Sequence, residues 1–128
     1  MSSPHLWLAV GAGGAMGAVA RYGVGALSLR LLGPNFPWGT LTVNVVGSAA
    51  MGLFIAWLVA REPHSQVMRV FVTTGVLGGF TTFSTFALDA VTLYREKSLT
   101  IAGAYVAASV ILSILGLFAG LAAGKAFS

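Results

Sequence analysis

The chain has no cysteine, which excludes disulfides, thiolate nucleophiles, iron–sulfur ligation and thiolate zinc sites. It also has little charge: three acids and seven Lys or Arg in 128 residues, 8% charged where soluble domains carry about 25%. Apolar residues make up 57%, with 17 glycines besides, and the mean hydropathy is +0.90. So little polar surface cannot keep a compact domain in water, and the chain reads as an all-α integral membrane protein. The net charge of +4 is spread over single cations rather than a basic stripe, so no nucleic acid partner is expected. Glu62, Asp89 and Glu96 are too dispersed for a carboxylate pair, and His5 and His64 lack metal-ligand spacing. Gly11-Ala12-Gly13-Gly14 starts like a dinucleotide loop, but Met16 stands where the last glycine belongs and no strand precedes it. No catalytic set is present, and the chain is read as no enzyme.

What remains is long apolar stretches. Four segments are each at or above the roughly 20 residues that a helix needs to cross a bilayer. They predict a single four-helix transmembrane domain over 1–128, with helices at about 5–32, 38–60, 68–94 and 98–125. No Lys or Arg precedes the first segment, which also outlasts the core of a cleavable signal peptide, so it reads as a retained helix. Gly33-Pro34-Asn35-Phe36-Pro37 and Arg61-Glu62-Pro63-His64 are the stops after the first and second. In the third, Gly75, Gly78 and Gly79 precede Phe80-Thr81-Thr82-Phe83-Ser84-Thr85-Phe86. Either the helix is broken near 75–82, which at membrane depth implies a site, or it is continuous with close-packed glycines.

Four crossings put Arg61, Arg69 and Lys125 on one side and Arg30, Arg95 and Lys97 on the other. The cation balance therefore sets no orientation, and dual topology with an antiparallel pair follows, the alternative being one orientation chosen by unequal loop weights.

Several residue patterns could carry chemistry. Ala9, Gly13, Gly17, Arg21 and Gly25 recur every fourth residue, a small-residue face suited to close helix approach. Arg21 on that face marks either an anion-attracting vestibule or a packing site that caps backbone carbonyls. Asp89 lies near the end of the third segment and reads as a solvated or helix-supporting carboxylate. Thr40, Asn44 and Ser48, and likewise Tyr105, Ser109 and Ser113, repeat at i, i+4, i+8 and form two rows of neutral hydrogen-bond donors. Each row serves either interhelical hydrogen bonding or a permeation path. Phe83 and Phe86 face roughly the same way. Aligned ring edges are electropositive and can solvate a small anion weakly, although packing is the commoner use of such a pair.

The whole chain resembles the CrcB/Fluc fluoride channels, small four-helix bacterial membrane proteins. The resemblance rests on Gly14-Ala15-Met16-Gly17-Ala18-Val19-Ala20-Arg21-Tyr22, on Gly39-Thr40-Leu41-Thr42-Val43-Asn44-Val45-Val46-Gly47, and above all on Gly78-Gly79-Phe80-Thr81-Thr82-Phe83-Ser84-Thr85-Phe86. It implies an antiparallel dual-topology homodimer in the bacterial inner membrane, with a broken third helix. Two pores would export cytoplasmic fluoride passively and give fluoride resistance. It further implies that Asn44, Phe83, Phe86, Tyr105, Ser109, Ser113 and Thr40 line the fluoride path. Backbone carbonyls of Gly78 and Thr81 would hold a structural sodium ion at the dimer centre. The alternative is a small dual-topology proton-coupled multidrug exporter, which needs a membrane-embedded carboxylate that the first, second and fourth segments lack. A purely structural membrane protein is a further alternative.

Overall fold

The computed structural model describes residues 3–61, 63 and 65–127; Glu62 and His64 of the second stop lie outside them. Helix α1 spans Pro4–Leu32, with Pro4 in its first turn, where a missing N–H costs nothing. Gly33 ends it at φ 83°, a left-handed position that suits glycine, and its N–H returns to the Leu29 carbonyl at 3.0 Å. After the proline turn comes α2, Trp38–Val59. Arg61 beyond it stacks on Trp57, 4.3 Å from guanidinium carbon to ring centroid, and donates to the Trp57 carbonyl at 3.4 Å. An aromatic and a cation together suit the headgroup boundary.

The third long element runs over Gln66–Glu96 in pieces. Ser65 caps a short α3, Gln66–Val70, by accepting from the Met68 N–H at 3.2 Å. A π-helical stretch, Phe71–Leu77, follows, then the single turn α4, Gly78–Phe80, and after Thr82 the 14-residue α5, Phe83–Glu96. The glycines expected to weaken the helix over 75–82 are themselves helical. Only Thr81 (φ −87°, ψ 161°) and Thr82 (φ −152°, ψ 121°) have extended backbone. Helix α6, Leu99–Ala126, closes the chain, capped by Ser98, whose hydroxyl accepts from the Ile101 N–H at 3.1 Å.

Three of these elements are long and apolar enough to cross a membrane: Trp38–Val59, Gln66–Glu96 and Leu99–Ala126. Helix α1, expected as a fourth span, has the length with 29 residues, but its six glycines, Arg21 and Arg30 dilute its hydropathy. The glycines serve packing instead. A Cβ on Gly13 would stand 2.5 Å from the Phe71 carbonyl oxygen, and one on Gly17 would run into the Val76 carbonyl, so α1 lies backbone to backbone on the π-helical stretch. The most extensive interface joins α2 to α6, where Gly52 and Gly120 play the same part.

Most large apolar side chains on α1 and α6 point outward, among them Trp7, Leu8, Leu31, Leu115 and Phe118. The accessible surface is 7887 Å², whereas a folded soluble chain of this mass exposes about 6,400 Å². Lipid or further protein must cover the difference.

The α2–α6 seam makes a graded prediction. Gly52→Ala would push a methyl against the Leu117 carbonyl and the Leu121 N–H, and Gly120→Ala against the Ala49 carbonyl and the Leu53 N–H. Each is expected to destabilise by about 1–3 kcal/mol through overpacking. Gly116→Ala, with 3.3 Å to the Val45 carbonyl oxygen, should cost less, which thermal unfolding in detergent will rank.

A groove beside the extended Thr81–Thr82 pair

The backbone at Thr81 and Thr82 leaves the helix, so each of its polar groups needs a partner from elsewhere at this depth. Asn44 on α2 supplies two: its Oδ1 accepts from the Thr82 N–H at 2.8 Å, and its Nδ2 donates to the Thr82 carbonyl at 3.0 Å. A carboxamide is the side chain that offers both an acceptor and donors in this spacing. One Nδ2 hydrogen remains. Gly47, a turn further along α2, lets the Thr81 methyl approach the helix backbone.

Other groups complete the accounting. The Thr82 hydroxyl accepts from the Thr85 N–H at 3.2 Å and caps α5. The Leu77 carbonyl accepts from both the N–H and the hydroxyl of Thr81, each at 3.1 Å. From α1, Arg21 Nε donates to the Gly79 carbonyl at 3.0 Å. The carbonyls of Gly78 and Thr81 are among those that lose their helical donors in this arrangement. The Thr82 N–H, which would serve Gly78 in a continuous helix, goes to Asn44, and the Thr85 N–H, which would serve Thr81, goes to the Thr82 hydroxyl.

Beside this pair lies a groove of about 410 Å³. Asn44 and Ser48 of α2 line it, with Gly78, Thr81, Phe83 and Phe86 of the third element and Ser109 and Ser113 of α6. The Phe83 and Phe86 rings lie 5.5 Å apart at 52°. Phe86 is buried at 9% exposure, whereas Phe83 is 78% exposed on the open side. Ser109 is 4% exposed, and its hydroxyl has no hydrogen-bond partner among the described residues, although it lies near the Tyr105 hydroxyl. A buried hydroxyl with no protein partner is costly unless something in the groove satisfies it.

Two expected members of the path sit elsewhere. Tyr105 is fully buried outside the groove lining, with its ring 5.4 Å from both Phe86 and Phe36, edge-on to the latter. Its hydroxyl donates to Asp89 Oδ2 at 3.2 Å. The row of Tyr105, Ser109 and Ser113 thus divides: four residues of helix advance along the axis, and the bulky ring at one end finds an aromatic slot while the small serines stay at the groove. Thr40 lies beside Tyr105 and lines two neighbouring clefts, one shared with Asp89 and the other with Arg21, Thr82 and Thr85. Sequence reasoning read Phe36 only as part of the turn after the first segment and Thr82 only as part of the expected break; the spacing from Thr82 to Thr85, that of a helix cap, was the available signal for the second's capping role. Asp89, read as solvated or helix-supporting, is half-buried and accepts from Tyr105.

An all-helical, multi-pass membrane protein that lines a groove with neutral donors and aromatic rings is of the class that handles ions or small polar solutes rather than performing catalysis. The chain belongs to the CrcB-like family, whose model, described as CrcB-like protein, Camphor Resistance (CrcB), matches residues 8–121. A relative from Agrobacterium fabrum named Fluoride-specific ion channel FluC is 56% identical over 117 residues, 91% of this chain and 93% of that one. Relatives of the same name from Rhizobium meliloti and Rhizobium etli are 54% and 53% identical, each over 120 residues covering 93% of this chain and 95% of theirs.

The tyrosine slot separates ring from hydroxyl. Tyr105→Phe is expected to cost about 1 kcal/mol through the lost hydrogen bond. Tyr105→Ala, which also empties the space between Phe86 and Phe36, is expected to cost about 3–5 kcal/mol. Denaturation midpoints in detergent check both.

Proposed function

We propose that the protein is a fluoride-selective channel of the bacterial inner membrane through which cytoplasmic fluoride leaves passively, down its electrochemical gradient. The working unit is an antiparallel, dual-topology homodimer with four crossings per chain and two pores. The reading is carried by the groove that gathers Asn44, Phe83, Phe86, Ser109 and Ser113, where the buried Ser109 hydroxyl has no hydrogen-bond partner among the described residues. The shared name of the relatives supports the choice of ion.

A small anion surrenders its water only to donors. The remaining Nδ2 hydrogen of Asn44 and the hydroxyls of Ser109 and Ser113 supply them, and the edges of Phe83 and Phe86 add weak attraction without a fixed charge. Neutral donors bind firmly enough to replace hydration and loosely enough to release the ion, which conduction requires. Thr40 and Tyr105 sit beyond this stretch, toward the cleft shared with Asp89, and serve as its continuation. No step needs a coupling carboxylate. The exporter alternative does, and Asp89, the acid in the third long element, is engaged by the Tyr105 hydroxyl.

The extended Thr81–Thr82 pair is, in this reading, the break of the third helix, and it faces its counterpart across the dimer. The carbonyls of Gly78 and Thr81, freed of helical donors, would hold a structural sodium ion there, since carbonyl oxygen suits a hard cation. Such an ion would supply a fixed positive charge at the centre of an otherwise neutral interface.

Purified protein in liposomes loaded with fluoride, with a potassium ionophore to collapse the voltage, is expected to release fluoride rapidly and chloride not at all. Asn44→Leu and Phe86→Ala should each reduce release at least tenfold, by a loss of about 1.4 kcal/mol or more in the path, while dimers still form on cross-linking. No release from demonstrably dimeric protein would refute the channel. A C-terminal tag should appear on both membrane faces in comparable amounts, and its confinement to one would refute dual topology.

A further inference from the structure

The Thr81–Thr82 backbone is held from two sides. From α1, Arg21 Nε takes the Gly79 carbonyl, which in a continuous helix would serve the Phe83 N–H. From α2, the Asn44 carboxamide takes both the N–H and the carbonyl of Thr82. A trans peptide unit is planar, with its N–H and C=O pointing in opposite directions. The Thr82 N–H shares its plane with the Thr81 carbonyl, so the bond that draws the N–H toward α2 turns the Thr81 carbonyl away from α2. At Gly79 the backbone is also wedged against α1, since an added Cβ there would lie 2.6 Å from the Gly14 carbonyl oxygen and 3.2 Å from the Ala18 nitrogen. Each held residue directly follows a carbonyl that has lost its helical donor, Gly78 before Gly79 and Thr81 before Thr82.

We infer that Arg21 and Asn44 are the positioning residues of the central cation site, because together they determine which carbonyls are left free and where those carbonyls point. The inference rests on the sodium reading proposed above. It makes Arg21 a backbone clamp rather than an attractor of anions. It also gives Asn44 two tasks, since the carboxamide that borders the groove orients the Thr81 carbonyl as well. Anion path and cation site are thereby coupled through a single peptide unit.

The test is the sodium dependence of thermal stability of the purified full chain in detergent, with choline replacing sodium at constant ionic strength, measured beside fluoride release. The melting temperature of the unmodified protein is expected to rise with sodium. Arg21→Met is expected to raise the sodium concentration at half of that rise by about tenfold, the effect of one lost hydrogen bond, and Asn44→Ala, which loses two, by at least as much. Arg21→Lys, which keeps a donor for the Gly79 carbonyl, should recover most of the shift. Phe83→Ile, in the groove but with a side chain outside the clamp hydrogen bonds, should lower fluoride release while keeping the original sodium midpoint. Unshifted midpoints in Arg21→Met and Asn44→Ala, with an unmodified protein that does respond to sodium, overturn the inference and leave the sodium reading standing. An unmodified protein indifferent to sodium overturns both. Should these two variants not fold, Arg21→Gln and Asn44→Ser, too short to reach their partners, are measured the same way with the same two outcomes.

Discussion

The rest of the structure depends on the pairing of the Asn44 carboxamide with the N–H and carbonyl of Thr82. In hydrocarbon an unpaired peptide group costs several kcal/mol, which is why irregular backbone is rare at this depth. Two consecutive extended residues in an apolar element need substitutes for the helical bonds they abandon. Asn44 gives two, the Thr82 hydroxyl gives a third to Thr85, and Arg21 gives a fourth to Gly79. Each substitute comes from a different element or from the chain's own cap, so the irregularity is stable only while α1, α2 and the third element are packed together.

That local departure redirects the chain. Before it, the π-helical stretch and α4 lie on the glycine face of α1; after it, α5 packs mainly on α6. A straight helix would have stayed with one neighbour. The change of neighbour opens the space between α2, the third element and α6, and this space is the groove lined by Phe83, Phe86, Ser109 and Ser113. Glycines on α1 and α2 permit the close approaches that hold the two halves, so backbone bonding and small-residue packing act as one system.

Much of this was legible in the sequence, for reasons of periodicity. Gly13 and Gly17 repeat at helical spacing and are buried against the third element, and Asn44, Ser48, Ser109 and Ser113 reach one groove because an i, i+4 row stays on one face. Arg21 was readable as a carbonyl cap or as an attractor of anions, but the carbonyl it meets, that of Gly79, 58 positions away in sequence, was not. Contacts between distant elements were not legible at all. The Tyr105–Asp89 bond and the edge-on Phe36 depend on how α5 and the proline turn meet α6, and no spacing rule encodes that. Nor does a count of glycines say where the helix gives way. Glycine lowers the cost of irregular backbone without causing it, and the extended conformation falls on the two threonines, where Asn44 and a capping hydroxyl can satisfy it.

The charge of Arg21 bears on why the groove is lined by neutral groups. Were the guanidinium directed into the groove, it would bind an anion strongly, and a tightly bound ion does not conduct. Its Nε is engaged with the Gly79 carbonyl, and Arg21 lines the cleft with Thr40, Thr82 and Thr85 rather than the groove. The groove itself is open along the side where Phe83 is exposed. Lipid tails on that side could cover the ring but could not hydrogen-bond the Ser109 hydroxyl or the last Asn44 hydrogen. In the dimeric reading proposed above, a second copy of the same chain, brought to this apolar surface in the opposite orientation, would supply a protein wall that can.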